Sequence, residues 1–273
     1  MIKEIANAKI NLALDVVSKR EDGYHDLKMI MMPIELHDTL IFEDSKQIEL
    51  ISNIDIPNNG VLKAAELMKT HFNVLLGARI TLEKNIPIGA GLGGGSADIA
   101  ATLRGLARLW KLDVTMKDLN DLALKLGSDT LFCLFNQTAY VYGRGEHLLF
   151  VKTPPIEKIF LFTSPINVST KYVFENHIIS TSKHRFDRLF KLFINEKYNR
   201  FIKKTYNNLT KTTLSLYPQL VDLDNRIKKL RKPYLMSGSG STFYITSFDQ
   251  EINDFSEKLT QNGFIFIETS PKK

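Results

Sequence analysis

The chain has 273 residues, 44% of them hydrophobic and 24% charged, with a formal net charge of +6 and one cysteine. That length supports a substantial core, as one large domain or two medium ones, and the lone Cys133 excludes an intrachain disulfide framework. Lys3, Glu4, Lys9 and Asn11 interrupt the apolar N-terminus, which makes a poor signal peptide, and no run approaches the roughly 18 apolar residues of a membrane helix, so a cytoplasmic protein without a membrane partner is expected.

In chain order, Ile10, Leu12, Leu14 and Val16 alternate with Lys9, Asn11, Ala13 and Asp15, the pattern of a strand with two distinct faces. Asp22-Gly23 within KREDGYHDL is a good hairpin dipeptide. HDTLIFED and QIELIS read as strands, VLKAAELMKTHF as a helix, and ARITLEKNI as a strand that runs directly into PIGAGLGGGSA. Beyond it Ile99, Leu103, Leu106 and Trp110 step by four, three and four, which predicts an amphipathic helix. Thr115 is placed to cap the helix MKDLNDLALKL, with Asp118 in its first turn and Gly127 at its end.

TPPIEK breaks any continuous element and marks the expected boundary between domains over residues 1–153 and 154–273. A strand KIFLFTS follows, then a largely helical region to about residue 230. Strands YLMSG and TFYIT, a helix from Ser247 to about Asn262 and a strand FIFIETS close the chain. Strands and helices interleave without strict alternation, which favours an α+β fold over a doubly wound sheet. Basic residues gather in KHRFDRLFKLFINEKYNRFIKK, residues 183–204, but Phe186, Leu189, Phe190, Phe193 and Ile194 recur there at helical spacing. The lysines and arginines therefore read as solvated faces of amphipathic helices. No zinc spacing or nucleic-acid motif accompanies them, so a nucleic-acid partner is not expected.

Five of the chain's fifteen glycines fall in the eleven residues PIGAGLGGGSA. A strand enters this cluster and an alanine-rich helix leaves it, the setting in which backbone N–H groups and a helix N-terminus cradle an anion, phosphate above all. No lysine follows the glycines, which excludes a Walker loop. Gly89, Gly91 and Gly94 match a dinucleotide fingerprint formally, but the acidic partner would have to be Asp113, which precedes a helix instead of ending a strand.

NAKINL on the first strand, PIGAGLGGGSADIAATL in the middle and LMSGSGS near the end stand in the order of the three motifs of the GHMP kinases, and the chain resembles that family. KREDGYHDL, Gly93-Gly94-Gly95 and LGSD resemble the branch whose acceptor is a cytidine-diphosphate-linked methylerythritol. The resemblance implies two domains, one like domain 2 of ribosomal protein S5 and a ferredoxin-like second one. It implies ATP as donor, with Mg2+, and a small-molecule acceptor phosphorylated on its 2-hydroxyl. Retention of the fold for another small alcohol, or a non-catalytic precursor-binding relative, are the competing readings. No metal ligands are identified, Ser96 being a candidate contact, and the oligomeric state is not legible.

By the same resemblance Lys9 and Asp129 form the catalytic pair. The triphosphate would lie on Pro87, Ile88, Gly89, Ala90, Gly91, Leu92, Gly93, Gly94, Gly95, Ser96 and Ala97, with Asn59 beside the nucleotide and Ser237, Gly238, Ser239 and Gly240 as the third motif. Asn11, Tyr24, His25, Thr170 and Phe174 would meet the acceptor, its cytosine held between aromatic faces. Taken singly, Asp129 is equally a helix cap, Lys9 an exposed strand lysine, Tyr24 and Phe174 core residues, and His25 a polar turn residue. Cys133 reads as core. The chain departs from the family pattern where Asn7 and Ser241 replace proline and Thr130-Leu131 replaces Ile/Val-Pro. Asn207-Asn208-Leu209-Thr210 stands for Asn-Asp-Leu-Glu, and Gly60 replaces a leucine after Asn59.

Overall fold

The alternating first segment becomes β1 (Ile2–Lys19) in the computed structural model, which describes residues 1–179, 185–247 and 252–273. Arg20 and Tyr24 close the turn that follows, with Gly23 at φ +83°, and the chain returns as β2 (His25–Ser45). β2 takes in HDTLIFED but starts twelve residues earlier, because the apolar run Met29–Ile34 is buried without alternation. The chain forms two compact units. The first comprises residues 1–9, 36–87 and 93–137, and the second residues 10–35, 88–92 and 138–273.

In the first unit the latter half of β2 pairs antiparallel with β4 (Gly77–Glu83), from Thr39↔Glu83 to Ser45↔Gly77. β3 (Ile48–Ser52) runs parallel to β4 on its other side. Helices α1 (Gly60–His71), α2 (Gly94–Leu109), α3 (Met116–Leu126) and α4 (Thr130–Phe135) complete the unit. The expected stripe Ile99, Leu103, Leu106 and Trp110 on α2 is buried. Thr115 caps α3 as the sequence predicts, in a reciprocal box with Asp118. Gly127 ends that helix with extended backbone, at φ 170°.

In the second unit the first half of β2 pairs with β5 (Ala139–Gly143), which pairs with β6 (His147–Phe150), two strands the sequence reading had not separated. A second sheet holds β7 (Lys158–Phe162), β8 (Leu235–Met236), β9 (Phe243–Ser247) and β10 (Ile267–Thr269) in the order β10-β7-β9-β8, antiparallel throughout. Numbered within the sheet this is 4-1-3-2, with helices between its first and second and its third and fourth strands, the ferredoxin-like plan. The helices are α5 (Thr170–Glu175), α6 (Arg185–Ile194), α7 (Tyr198–Lys204), α8 (Leu209–Leu216), α9 (Val221–Lys229) and α10 (Ile252–Gln261).

Phe186, Leu189 and Phe193 of α6 and Tyr198 and Phe201 of α7 are buried, while Arg188, Lys191, Arg200, Lys203 and Lys204 face solvent. Ile194, read as part of the apolar face, is exposed because it ends its helix. Ser247 closes β9 instead of opening the last helix; residues 248–251, with Lys183 and His184, lie outside the described residues. FIFIETS is a strand only at Ile267–Thr269, its first residues forming the turn after α10, where Phe264 N–H donates to Leu259 O. Among the described residues no helix is long and apolar enough to cross a membrane.

Candidate active site

Lys9 lies mid-way along β1, where side chains on both faces are buried, and its own side chain is only 5% exposed. The exposed-lysine reading is thereby excluded. Its Nζ is 3.4 Å from Asp129 Oδ2. Asp129 occupies the N-cap position of α4 with helical φ and ψ, and its carboxylate makes no capping bond. Caps work from extended backbone, which lets the side chain fold onto the first amides; here the carboxylate is left to Lys9 and solvent, 29% exposed.

The glycine cluster reaches this pair through Gly93, the N-cap of α2, which sits at φ +71° and has no side chain to cap with. The first amides of a helix have no partner within it, so Gly94, Gly95 and Ser96 present N–H groups at the positive end of the helix dipole. A Cβ at Gly93 would approach Lys9 Cγ to 2.9 Å, so the lysine stem lies directly on the loop. At Gly95 a Cβ would meet nothing within 4 Å. Pro87 lies in the loop between β4 and the first glycine. Ala90, Leu92 and Ala97 are buried, so only their backbone is available to a ligand, whereas Ile88 is half exposed.

Behind the cradle stands a cluster that the sequence reading missed. Lys84 Nζ donates to Asp38 Oδ2 and to Asp98 Oδ2, the latter at 2.7 Å, and all three residues are buried. Asp38 Oδ1 also accepts from the N–H groups of Asn85 and Ile86, at the entry to the glycine loop. A Cβ at Gly94 would lie 2.9 Å from Lys84 Nζ. Burial pushes the Asp98 carboxyl up to about 7, against the pull of Lys84 and with the help of the Asp38 charge. Two carboxylates share one ammonium here, and Asp98 Oδ1 has no hydrogen-bond partner among the described residues. The sequence signal was a charged residue on the buried stripe of α2. Asn59, expected beside the nucleotide, caps α1 through Oδ1, which accepts from Val61 N–H at 3.0 Å.

In the second unit residues 88–92 are strapped to the third motif. Ser237 Oγ donates to Gly91 O at 2.9 Å, and Thr242 N–H to Ala90 O at 3.2 Å. A Cβ at Gly91 would lie 2.2 Å from Ser237 O, which excludes any side chain. Gly238 and Gly240 take positive φ, and Ser239 Oγ meets Thr170 Oγ1 at 2.9 Å. Asn207 anchors this loop: Nδ2 donates to Met236 O and Gly238 O, and Oδ1 accepts from Leu209 N–H.

His25 and Phe174 come together with ring centroids 5.3 Å apart, and burial, with the Lys19 charge, lowers the His25 pKa. Tyr24 is half exposed instead of core, with the Arg144 guanidinium 4.9 Å over its ring. Asn11 is fully buried; its Nδ2 lies 3.4 Å from Met29 Sδ and its carbonyl accepts from Tyr244 OH. Cys133 is buried as expected, and its thiol is pushed up to about 12 by burial and by the Asp129 charge.

Residues 59–144 match the GHMP kinases N terminal domain. The chain is 41% identical over 249 residues to the 4-diphosphocytidyl-2-C-methyl-D-erythritol kinase of Bacillus cereus strain AH187, an alignment covering 88% of this chain and 86% of that one. The chain belongs to this family of GHMP kinases. The family member of Bacillus mycoides strain KBAB4 is 40% identical over 247 residues, with the same coverage. A crystal structure of 4-(cytidine 5'-diphospho)-2C-methyl-D-erythritol kinase matches with a TM-score of 0.80 and 28% identity across 100% of both chains.

The departures from the family pattern have local explanations in part. Asn7, in place of proline, accepts through Oδ1 from Asn136 Nδ2 at 2.8 Å and so ties β1 to the end of α4. Asn208 donates to Asp15, and Gly60 lies against Ile99 of α2, where a Cβ would come to 2.7 Å. Thr130 Oγ1 and Ser241 Oγ are buried without hydrogen-bond partners among the described residues, and nothing in the structure explains those two replacements.

Proposed function

We propose that this chain transfers the γ-phosphoryl group of ATP to the 2-hydroxyl of 4-diphosphocytidyl-2-C-methyl-D-erythritol, a step of isoprenoid precursor synthesis. The observation that carries the reading is Lys9 Nζ set 3.4 Å from Asp129 Oδ2, with the lysine stem against the glycine cradle. Identity of about 40% to kinases of that name along most of the chain supports the acceptor.

Phosphoryl transfer asks the protein chiefly for positioning and electrostatic stabilisation. GHMP kinases use ATP as phosphate donor, and two features fit its triphosphate: the uncapped amides of α2 and the open space over Gly95. Among the described residues no group of three or more His, Cys, Asp or Glu is placed to hold a metal. Magnesium would therefore arrive with the triphosphate and keep several waters, with Ser96 the chain's own candidate contact; it neutralises charge on the phosphoryl oxygens. The Asp129 carboxylate orients the acceptor hydroxyl and takes its proton, and the Lys9 ammonium offsets charge on the group in flight.

The cytosine would stack on Phe174 and Tyr24. A His25 ring whose pKa burial lowers is neutral at pH 7 and offers one donor and one acceptor to the polar edge of the base. Thr170 would also meet the acceptor, while Asn11, fully buried against Met29, and Asn59, the cap of α1, are engaged within the fold. The deciding experiment measures ADP release with ATP alone, with the cytidylyl acceptor, and with other small alcohols. Release that needs the cytidylyl acceptor and is competed by cytidine diphosphate is the expected result. Release independent of it, or faster with another alcohol, overturns the assignment.

A further inference from the structure

Arg104 lies on α2, about 15 Å along the axis from Gly94 at 1.5 Å per residue. Its Nε donates to Glu4 Oε2 at 2.9 Å and its Nη2 to Ile5 O at 3.1 Å, both on β1. Its Nη1 donates to Cys133 O at 3.2 Å and Leu134 O at 3.3 Å, in the last turn of α4. Those two carbonyls belong to the four that a helix leaves without internal partners at its C-terminus. Cys133 N–H in turn donates to Asp129 O at 3.0 Å.

One planar guanidinium thus joins three elements at the ends remote from three reactive parts. Along β1, Lys9 stands four residues beyond Ile5, about 13 Å away. Across the single short helix α4 stands Asp129, and at the head of α2 stands the glycine cradle. The Asn7–Asn136 hydrogen bond is a second tie between β1 and α4, but it does not reach α2.

We infer that Arg104 is a positioning residue for the transfer step, fixing β1 against α4 and therefore Lys9 against Asp129. The inference rests on the roles proposed above for that pair. A tilt of about 5° at Ile5 moves Lys9 by about 1 Å, and a misplacement of that size costs up to about 10²-fold in rate. The fork matters as much as the charge, because an ammonium is a point donor that cannot reach β1 and both α4 carbonyls from one rigid plane. Arg108 provides the control: its Nη1 donates to Glu4 Oε1 at 2.8 Å from a largely exposed position, so it shares the carboxylate from the solvent side.

The test compares Arg104→Lys, Arg104→Ala and Arg108→Ala by steady-state kinetics at a temperature where circular dichroism shows each fully folded. Expected for both Arg104 variants is a kcat at least tenfold lower with KM for ATP and for the cytidylyl acceptor within twofold, and for Arg108→Ala an unchanged kcat. Millimolar guanidinium chloride, but not potassium chloride, should restore part of the Arg104→Ala rate. A folded Arg104→Lys with kcat within twofold of the parent, or equal loss in kcat and affinity without guanidinium rescue, overturns the inference. Should neither Arg104 variant fold, Glu4→Gln, which weakens the Nε anchor, carries the test: a kcat lowered at least threefold at constant KM supports it and an unchanged kcat overturns it. Asp129→Asn in the same assay separates the two readings, since full turnover there removes the underlying roles, whereas loss there beside normal Arg104 variants removes the positioning role alone.

Discussion

Gly93 and Lys9 are in direct contact: a Cβ on the glycine would lie 2.9 Å from the lysine Cγ and 3.0 Å from its Cε. The glycine loop proposed to hold the triphosphate and the lysine proposed for catalysis are therefore set by one packing contact. Gly93→Ala must also hold a left-handed φ of +71°, which costs about 1–2 kcal/mol. The expected result is a Tm a few degrees lower together with a loss of kcat, because Lys9 has to move. Gly95→Ala is the counterpart. Its methyl group enters open space in a helical position, so Tm should hold or rise, while KM for ATP increases because the methyl fills the cradle. Parental kcat in Gly93→Ala, or unchanged KM in Gly95→Ala, would show that the nucleotide lies elsewhere.

Asp129→Asn keeps the size and most of the polarity of the side chain but removes the proposed proton acceptor. The carboxylate makes no cap bond to α4, so what the change weakens is its ion pair with the buried Lys9; with Asp129 itself 29% exposed, Tm should fall by only about 2–6 °C. Turnover should fall by about 10²- to 10⁴-fold, the contribution of a positioned acid–base group. ATP affinity, followed by equilibrium binding, should change little. A Tm collapse would mean that Asp129 serves chiefly to hold the buried Lys9 in place, and near-parental turnover would remove it from the mechanism.

The Lys84 cluster makes stability depend on pH. Asp98 binds its proton more tightly in the folded chain, up to about 7, than at the ordinary carboxylate value of 3.8. A group raised on folding stabilises fully below the unfolded value, and that contribution is lost as pH rises through the folded one. Asp98 should therefore lower stability progressively between about pH 4 and pH 7. Asp98→Asn still gives Lys84 an oxygen to donate to, with Asp38 as its ionic partner, and removes the titration. The difference in Tm between variant and parent should shift in favour of the variant across that window and level off above it. Parallel curves from pH 4 to pH 8 would mean that Asp98 is ionised throughout.

What could be read from the sequence was whatever repeats or is locally determined. The stripe from Ile99 to Trp110, the Thr115–Asp118 box and the Asp22-Gly23 turn each follow from residues close together in sequence. Motif order singled out Lys9, Asp129 and the glycine loop, which the fold brings together, because each carries its own neighbours as context. The first half of β2 escaped notice since a strand buried on both faces loses its alternation. Lys84 with Asp38 and Asp98, Arg104 with Glu4 and the α4 carbonyls, and Asn207 with the third motif all escaped for another reason. Their partners lie between 14 and 100 residues away in sequence, and nothing local marks a polar side chain as one that will be buried and paired.

Asn207 offers the sharpest test of such a long-range bond. Its buried Nδ2 donates to Met236 O at 2.8 Å and Gly238 O at 2.7 Å, while Oδ1 accepts from Leu209 N–H at 2.9 Å. Asn207→Ala strands three backbone groups, and at about 1–3 kcal/mol each before relaxation and water entry a net loss of about 3 kcal/mol is expected. The Ser237 bond to Gly91 should loosen with it and raise KM for ATP. Asn207→Asp is more diagnostic, because it keeps the acceptor for Leu209 but turns a carboxylate oxygen toward two carbonyls. Only the protonated acid can donate there, so folding raises the carboxyl pKa above its ordinary value near 4. The variant should accordingly be closest to the parent near pH 4 and lose stability as pH rises toward 7. Urea unfolding at both pH values reads the difference, and an Asn207→Asp variant as stable as the parent at pH 7 would mean that the third motif is not held by this amide.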